Sequence, residues 1–146
     1  MNRRCYLAAV GTGAAVSLAG CSSVLSAFDD DELCRGEDCD IGMTRNEFVP
    51  ETYEARVGET VVWKNTSGAD HTVTALENSV PDDGAYFATG DYDDESTARD
   101  AWHEYRGGRL GTRETFEHTF AVAGTYDYIC EPHVTGGMIG SVVVTE

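Results

Sequence analysis

GTYDYICEPHVTGGM, residues 124–138, is the stretch that decides the fold of this chain. Its first half is rich in β-branched and aromatic residues, which is typical of a strand. Its second half places a cysteine, a histidine and a methionine within nine residues, in a loop with one proline and two glycines. Thiolate and thioether are soft ligands, and an electron-transfer copper ion takes two histidines, one cysteine and a weak axial methionine. The stretch therefore predicts that Cys130, His133 and Met138 bind copper at a strand end.

Such a site needs a second histidine, and His71 is the candidate. It begins a strand-like segment, residues 71–75, and precedes Cys130 by 59 residues. Without a metal, the same residues would be a buried cysteine or half of a disulfide, a gap-filling methionine and histidines that only form hydrogen bonds. Zinc is the competing metal, but methionine is not among its usual ligands. The ligand types together favour one copper ion bound by His71, Cys130, His133 and Met138.

Residues 124–138 resemble the copper-binding end of the plastocyanin-type cupredoxins. Over residues 41–146 the chain most closely resembles the halocyanins, the blue copper proteins of salt-loving archaea. The resemblance implies an antiparallel β-sandwich that transfers one electron at a time. The other stretches that carry it are FVP at 48–50, VGETVVWKN at 57–65, DHTV at 70–73 and YFATG at 86–90.

The resemblance also assigns roles to the ligands. All four predicted ligands fall on ligand positions of that family, with His71 as the more buried imidazole and His133 as the surface port for electrons. Two features depart from the plastocyanin pattern: the 59-residue gap is longer, and Asp70 adds a carboxylate beside a ligand. Neither feature changes the ligand assignment, and both leave the reduction potential open.

The remaining pattern predicts an all-β domain. Short segments rich in β-branched and aromatic residues are separated by turn residues, which is typical of a sandwich or barrel. We therefore predict a cupredoxin-like, Greek-key antiparallel β-sandwich, and about 106 residues suffice for its single core. Strands are predicted at residues 52–57, 60–65, 71–75, 114–122, 126–130 and 139–145.

Between residues 81 and 111 the pattern changes to that of an insertion. Asp94 can cap a short helix over residues 94–106. The insertion either packs on the sandwich or docks a partner. His103 lies on the polar side of this helix and His118 lies on a strand, so neither is predicted to bind the metal. Within this helix, the residues that fall at helical spacing are Ala98, Ala101, Trp102 and Tyr105.

The first residues predict export from the cytoplasm. Arg3 and Arg4 form a twin-arginine start, followed by an apolar run that is too short to span a membrane comfortably. The run ends at LAGC, residues 18–21, which resembles the processing site of lipoproteins. We predict that residues 1–20 are a signal peptide and that Cys21 is lipidated. The alternative is a plain secretory signal with an incidental cysteine.

Residues 21–40 predict an acidic tether between the lipid anchor and a copper-binding domain at residues 41–146. The segment is rich first in serine and then in carboxylates. Cys34 and Cys39 are expected to form a small disulfide loop in an oxidising compartment. A second soft-metal site is the alternative, although no histidine lies nearby.

The charge of the chain excludes some partners. The formal net charge is −16, and loss of Arg3 and Arg4 with the signal makes it −18. Such a charge argues against nucleic acid and anionic membrane surfaces as partners. The acidity is either a solvation device for concentrated salt or a docking face for a basic partner. The spread of the carboxylates along the chain favours salt adaptation.

The residues point to an electron carrier rather than an enzyme, since the sequence shows no nucleophile–base pair and no open metal position. We predict one-electron transfer at the extracytoplasmic face of the cell membrane. The expected partners are a redox protein donor and acceptor among the membrane respiratory components. Two alternatives stay open: a copper carrier or chaperone on the same fold, and a metal-free structural sandwich.

Overall fold

The structure, a computed structural model, describes Cys34 and residues 38–146. The predicted twin-arginine signal, the lipidation site Cys21 and most of the tether lie outside these residues. Within the described residues, no helix combines the length and the apolar character that crossing a membrane requires.

Two four-stranded sheets form the described part of the chain, which confirms the predicted β-sandwich. In one sheet the spatial order is β2-β1-β4-β6, and in the other it is β3-β8-β7-β5. The strands are β1 (Ile41–Met43), β2 (Phe48–Val49), β3 (Thr52–Arg56), β4 (Thr60–Asn65), β5 (Thr74–Ala75), β6 (Thr115–Thr119), β7 (Gly124–Ile129) and β8 (Ile139–Thr145).

The sheets are mixed rather than purely antiparallel. β1 lies parallel to β4 and β3 lies parallel to β8, whereas the other neighbouring strands are antiparallel. In each parallel pair, the chain passes through the opposite sheet between the two strands. Such a crossover connection allows the second strand to run in the same direction as the first. β7 and β8 form the long antiparallel pair on which the predicted metal loop is built.

Alternate residues of the strands point into the core of the sandwich. In β4, Val61, Trp63 and Asn65 are buried while their neighbours are not, and β8 alternates in the same way. The indole of Trp63 is the centre of an aromatic cluster and meets the ring of Tyr128 edge-on at 5.4 Å. Phe87, on a loop for which no strand was predicted, completes the cluster at 5.8 Å from Trp63.

The insertion contains one helix, α1 (Glu95–Tyr105), close to its predicted bounds. The Asp94 carboxylate accepts a hydrogen bond from the Thr97 amide at 2.7 Å, as expected of an N-cap. Of the four residues at helical spacing, Tyr105 is not buried, because it is 64% exposed. Its ring covers Gly107, which has no side chain of its own. The buried residues of the helix are Ala98, Ala101 and Trp102.

The residues just before β1 are bound to the sandwich. The Asp40 carboxylate accepts hydrogen bonds from the Val62 amide at 2.9 Å and from the Tyr53 hydroxyl at 3.2 Å. Cys39 is buried and forms a disulfide bond with Cys34. The attachment of the chain to the sandwich therefore begins before Ile41.

Candidate metal centre

The loop after β7 brings three of the predicted ligands together. β7 ends at Ile129, and a 3₁₀ turn over Glu131–Gly136 reverses the chain toward β8. The Cys130 amide donates to the carbonyl of Met138 at 3.1 Å, and the Met138 amide donates to the carbonyl of His133 at 3.3 Å. These hydrogen bonds close the loop and hold Cys130, His133 and Met138 near one another.

A second segment places His71 opposite this loop. Its amide donates to the Leu110 carbonyl at 3.1 Å, and the Leu110 amide donates back at 2.7 Å. The side-chain amide of Asn65, which is fully buried, donates to the carbonyls of Leu110 at 2.9 Å and Ala69 at 2.6 Å. Asn65 therefore ties the end of β4 to both segments that flank His71.

The three strong ligand atoms converge as a metal requires. Sγ of Cys130 lies 3.4 Å from Nδ1 of His71 and 3.4 Å from Nδ1 of His133. A metal bonded to nitrogen at about 2.0 Å and to sulfur at about 2.3 Å holds those two atoms about 3.5 Å apart. Among the described residues, the group of metal-binding side chains with ligand atoms within 4.8 Å of one another is His71, Cys130 and His133.

Met138 supplies the ligand type that favours copper. Its side chain is 1% exposed, and its backbone is hydrogen-bonded to both Cys130 and His133. A thioether beside a His₂Cys group suits copper and is not a usual ligand of zinc. The four residues fit a type 1 copper site.

Burial keeps the ligands uncharged in the metal-free chain. Desolvation lowers the pKa of His71 to about 4 and raises the pKa of the Cys130 thiol to about 11. Desolvation, aided by the charge of Arg45, also lowers the pKa of His133. Because copper binds the thiolate, loading the site releases the proton of Cys130.

The two imidazoles differ in their surroundings. His71 is fully buried, and its Nε2 lies 3.0 Å from the hydroxyl of Ser67. A hydrogen bond at the distal nitrogen fixes the ring orientation of a metal ligand. His133 is only partly buried. Asp70 is turned to an ion pair with Arg109 at 3.1 Å.

Thr72 and Glu131, to which the sequence analysis assigned no role, support the ligands. The Thr72 amide donates to Sγ of Cys130 at 3.5 Å. The Thr72 hydroxyl accepts from the Glu131 amide at 2.9 Å in a buried position. Each residue directly follows a ligand, and that adjacency is the one signal in the sequence that could have identified them.

Glu131 also joins the metal loop to α1. Its side chain is 7% exposed and lies 2.8 Å from Nε of Arg99 and 2.9 Å from Nε2 of His103. His103 thus forms a hydrogen bond with Glu131 instead of binding the metal. His118 stacks on Phe87 with ring centroids 4.7 Å apart, and burial lowers its pKa. The structure brings neither histidine into the ligand cluster.

Comparison with known proteins gives consistent matches. Residues 37–145 match the family model of copper-binding proteins of the plastocyanin/azurin family. Chloroplastic plastocyanin from Chlamydomonas reinhardtii is 30% identical over 135 residues, covering 92% of this chain and 81% of that protein. Chloroplastic plastocyanin from Hordeum vulgare is 34% identical over 97 residues, covering 66% of this chain. The chain spans about half the length of the Hordeum protein, at 54%.

Solved structures show the same fold. Amicyanin from Paracoccus versutus matches with a TM-score of 0.50 at 24% identity, covering 75% of this chain and 82% of that chain. A copper-containing nitrite reductase from Thermus scotoductus matches with a TM-score of 0.53 at 25% identity, covering 73% of this chain but only 22% of that chain. The fold, the ligand cluster and the family match together show that this chain belongs to the plastocyanin/azurin family of copper-binding proteins.

Proposed function

We propose that this protein is a one-electron carrier with a type 1 copper site, exported and held by lipid at the outer face of the cell membrane. One observation carries the proposal: Sγ of Cys130 lies 3.4 Å from Nδ1 of both His71 and His133, next to the buried Met138. Bound copper would supply the exchange of one electron between Cu(I) and Cu(II).

The protein's own residues favour rapid exchange by holding the ligands still. Ser67 orients His71, and the Thr72 amide restrains the sulfur of Cys130. A site that rearranges little between oxidation states has a low barrier to electron transfer. The partly exposed His133 offers the short route to a partner, and weak redox encounters use small contact surfaces.

Burial of the ligands argues against a copper chaperone. His71 and Cys130 are fully buried and Met138 is 1% exposed, so a receiving protein has no direct access to them. Transfer of the ion would require the loop after β7 to open. A carrier of electrons needs only the edge of His133 at the surface.

Export and the lipid anchor are supported by the sequence of the first segment. LAGC at residues 18–21 precedes the domain, and Cys21 is the proposed site of lipid. The disulfide bond between Cys34 and Cys39 is consistent with an oxidising compartment. The proposed donor and acceptor are redox proteins of the respiratory membrane.

A potentiometric titration of the copper-loaded protein, with copper retention measured after repeated cycles, tests electron transfer against copper transfer. We expect a reversible one-electron transition and full retention in the presence of a Cu(I) chelator. Rapid loss of Cu(I) to the chelator would favour the chaperone and contradict the proposal.

The location is tested separately by expression in the native host. Wild type should partition with membranes and show an added lipid mass at Cys21, and Cys21→Ser should be released or left unprocessed. A soluble, unmodified mature wild-type chain would overturn the anchor without affecting the copper site.

A further inference from the structure

An open groove of about 610 Å³ lies between α1 and the metal loop. The loop residues that line it lie on both sides of His133 in the sequence, so the groove borders the proposed electron port. Its walls are formed by Trp102, His103 and Arg106 from the helix side and by Pro132, Val134 and Thr135 from the loop.

Two arginines, Arg99 and Arg106, and one carboxylate, Glu131, line the groove, although the chain is acidic overall. The Glu131 carboxylate is already bound by Arg99 and His103. The guanidinium of Arg106 lies 4.8 Å from the ring centroid of Trp102 and is exposed. Within residues 38–146, no carboxylate forms an ion pair with Arg106. The groove therefore presents an unneutralised cation on an aromatic surface.

The acidic cluster at residues 93–95, at the start of α1, is partly occupied by contacts within the fold. Asp94 caps α1, and the Glu95 carboxylate binds both Arg99 and the Glu77 amide. The charge beside the port thus favours an anionic partner surface.

We propose that the groove between α1 and the metal loop binds a carboxylate-bearing segment of the redox partner, with Arg106 as its anchor. Arginine is suited to this role because its planar guanidinium can bind a carboxylate through two hydrogen bonds. The groove thereby places an acidic partner against His133. This inference rests on the proposed electron-carrier function and names the chemistry of its partner.

Arg56 provides a matched control for a substitution at Arg106. It is exposed on β3, where it pairs with Thr145 at the far end of β8 from Met138. That end is about 20 Å from the metal loop, given about 3.3 Å per strand residue. R106E and R56E change the net charge equally, so a difference between them reports position rather than total charge.

The first readout is the rate at which each reduced, copper-loaded chain is oxidised. The probes are the anion ferricyanide and the cation tris(phenanthroline)cobalt(III), each of which accepts one electron from Cu(I). The test is run in about 0.1 M KCl, where the Debye length is about 10 Å. Under these conditions, the oxidation of R106E by ferricyanide should be slower than that of R56E by about threefold or more. Oxidation by the cationic cobalt complex should be faster in R106E than in R56E.

The second readout is NMR titration of the ¹⁵N-labelled Cu(I) protein with hexaglutamate, with hexalysine as the control peptide. Hexaglutamate should shift the indole N–H of Trp102 and the amide of Thr135 in wild type and R56E, and not in R106E. Hexalysine should leave both signals in place. Near-ultraviolet circular dichroism shows that each variant is folded.

Equal ferricyanide rates in R106E and R56E, or no shift at Trp102 with hexaglutamate, would overturn the groove proposal alone. Failure of wild type to reduce either oxidant would instead overturn the proposed function. A concentration-dependent dimer in sedimentation that is lost in R106E would assign the groove to a second copy of this chain, which also contradicts the proposal.

Discussion

The backbone amide of Thr72 donates a hydrogen bond to Sγ of Cys130 at 3.5 Å, so the residue after one ligand contacts another ligand directly. The two residues are 58 positions apart. Hydrogen bonds to the cysteine sulfur are among the features that tune the potential of a copper–thiolate site. The position of Thr72 therefore couples the segment of His71 to the electronic properties of the centre.

Replacing Thr72 by valine should destabilise the protein by about 1–3 kcal/mol, because the buried Glu131 amide loses its acceptor. Copper binding should persist, since the valine amide still faces the sulfur. Denaturant unfolding measures the effect. Thr60→Val is the matched control: its hydroxyl meets that of Thr119 at an exposed position, and its removal should cost about 0.5 kcal/mol or less. Equal losses in the two variants would refute the role of Thr72.

Replacing Met138 by glutamine should leave copper bound and lower the reduction potential. An amide oxygen is a harder donor than a thioether and favours Cu(II) over Cu(I). Met138→Leu is the control, because leucine fills the space without offering a donor and should not lower the potential. Cyclic voltammetry gives both values. An unchanged potential in the glutamine variant would mean that Met138 is not the axial ligand.

The apo-protein should become less stable as the pH falls, because the unfolded chain protonates His71 more readily than the folded chain does. Burial holds the pKa of His71 at about 4 in the folded chain, below the ordinary value of 6.5. The unfolded chain therefore takes up the proton first, so the stabilisation present above pH 6.5 is lost as the pH falls toward 4. Between pH 6.5 and 5 the loss is about 1.5 kcal/mol, because the unfolded imidazole is only half protonated at pH 6.5 and the limiting slope of about 1.4 kcal/mol per pH unit is reached only at lower pH.

Urea unfolding of the apo forms of wild type and H71Q over this pH range measures that loss. The other groups titrate in both chains, so the difference between the two slopes isolates His71. We expect the steeper loss in wild type. Parallel slopes would show that His71 is not held neutral by burial.

The melting temperature of the apo-protein should rise from about 0.1 M to molar KCl. At a net charge of −16, the carboxylates of the chain repel one another. The Debye length shrinks from about 10 Å to about 3 Å over this range, so this repulsion weakens. Each kcal/mol gained corresponds to about 4–8 °C in a domain of this size. Calorimetry in KCl gives the result, and a flat melting temperature would instead favour the acidity as a local docking surface.

The parts of the site that depend on local sequence were predictable. The loop from Cys130 to Met138 contains three ligand types at short spacing, and β7 before it has a clear strand composition. The cap of α1 at Asp94 was equally local. Such features need only a few neighbouring residues, so the sequence indicates them directly.

Long-range contacts were not predictable from the sequence. The segment at 71–75 was predicted as a strand, yet β5 contains only Thr74 and Ala75, because His71 pairs with Leu110 on a distant loop. The contacts of the buried Glu131 carboxylate with Arg99 and His103 of α1 likewise join residues about 30 positions apart. Neither composition nor periodicity specifies which distant segments meet.

The most direct test of the copper assignment is the visible absorption spectrum of the copper-loaded protein before and after ascorbate, in wild type and in Cys130→Ser. We predict that wild type shows an intense thiolate-to-copper charge-transfer band that ascorbate bleaches, and that the serine variant remains folded by circular dichroism but lacks the band. An equally intense band in Cys130→Ser, or no such band in wild type with copper bound, would contradict the assignment of Cys130 as the ligand of a type 1 copper centre.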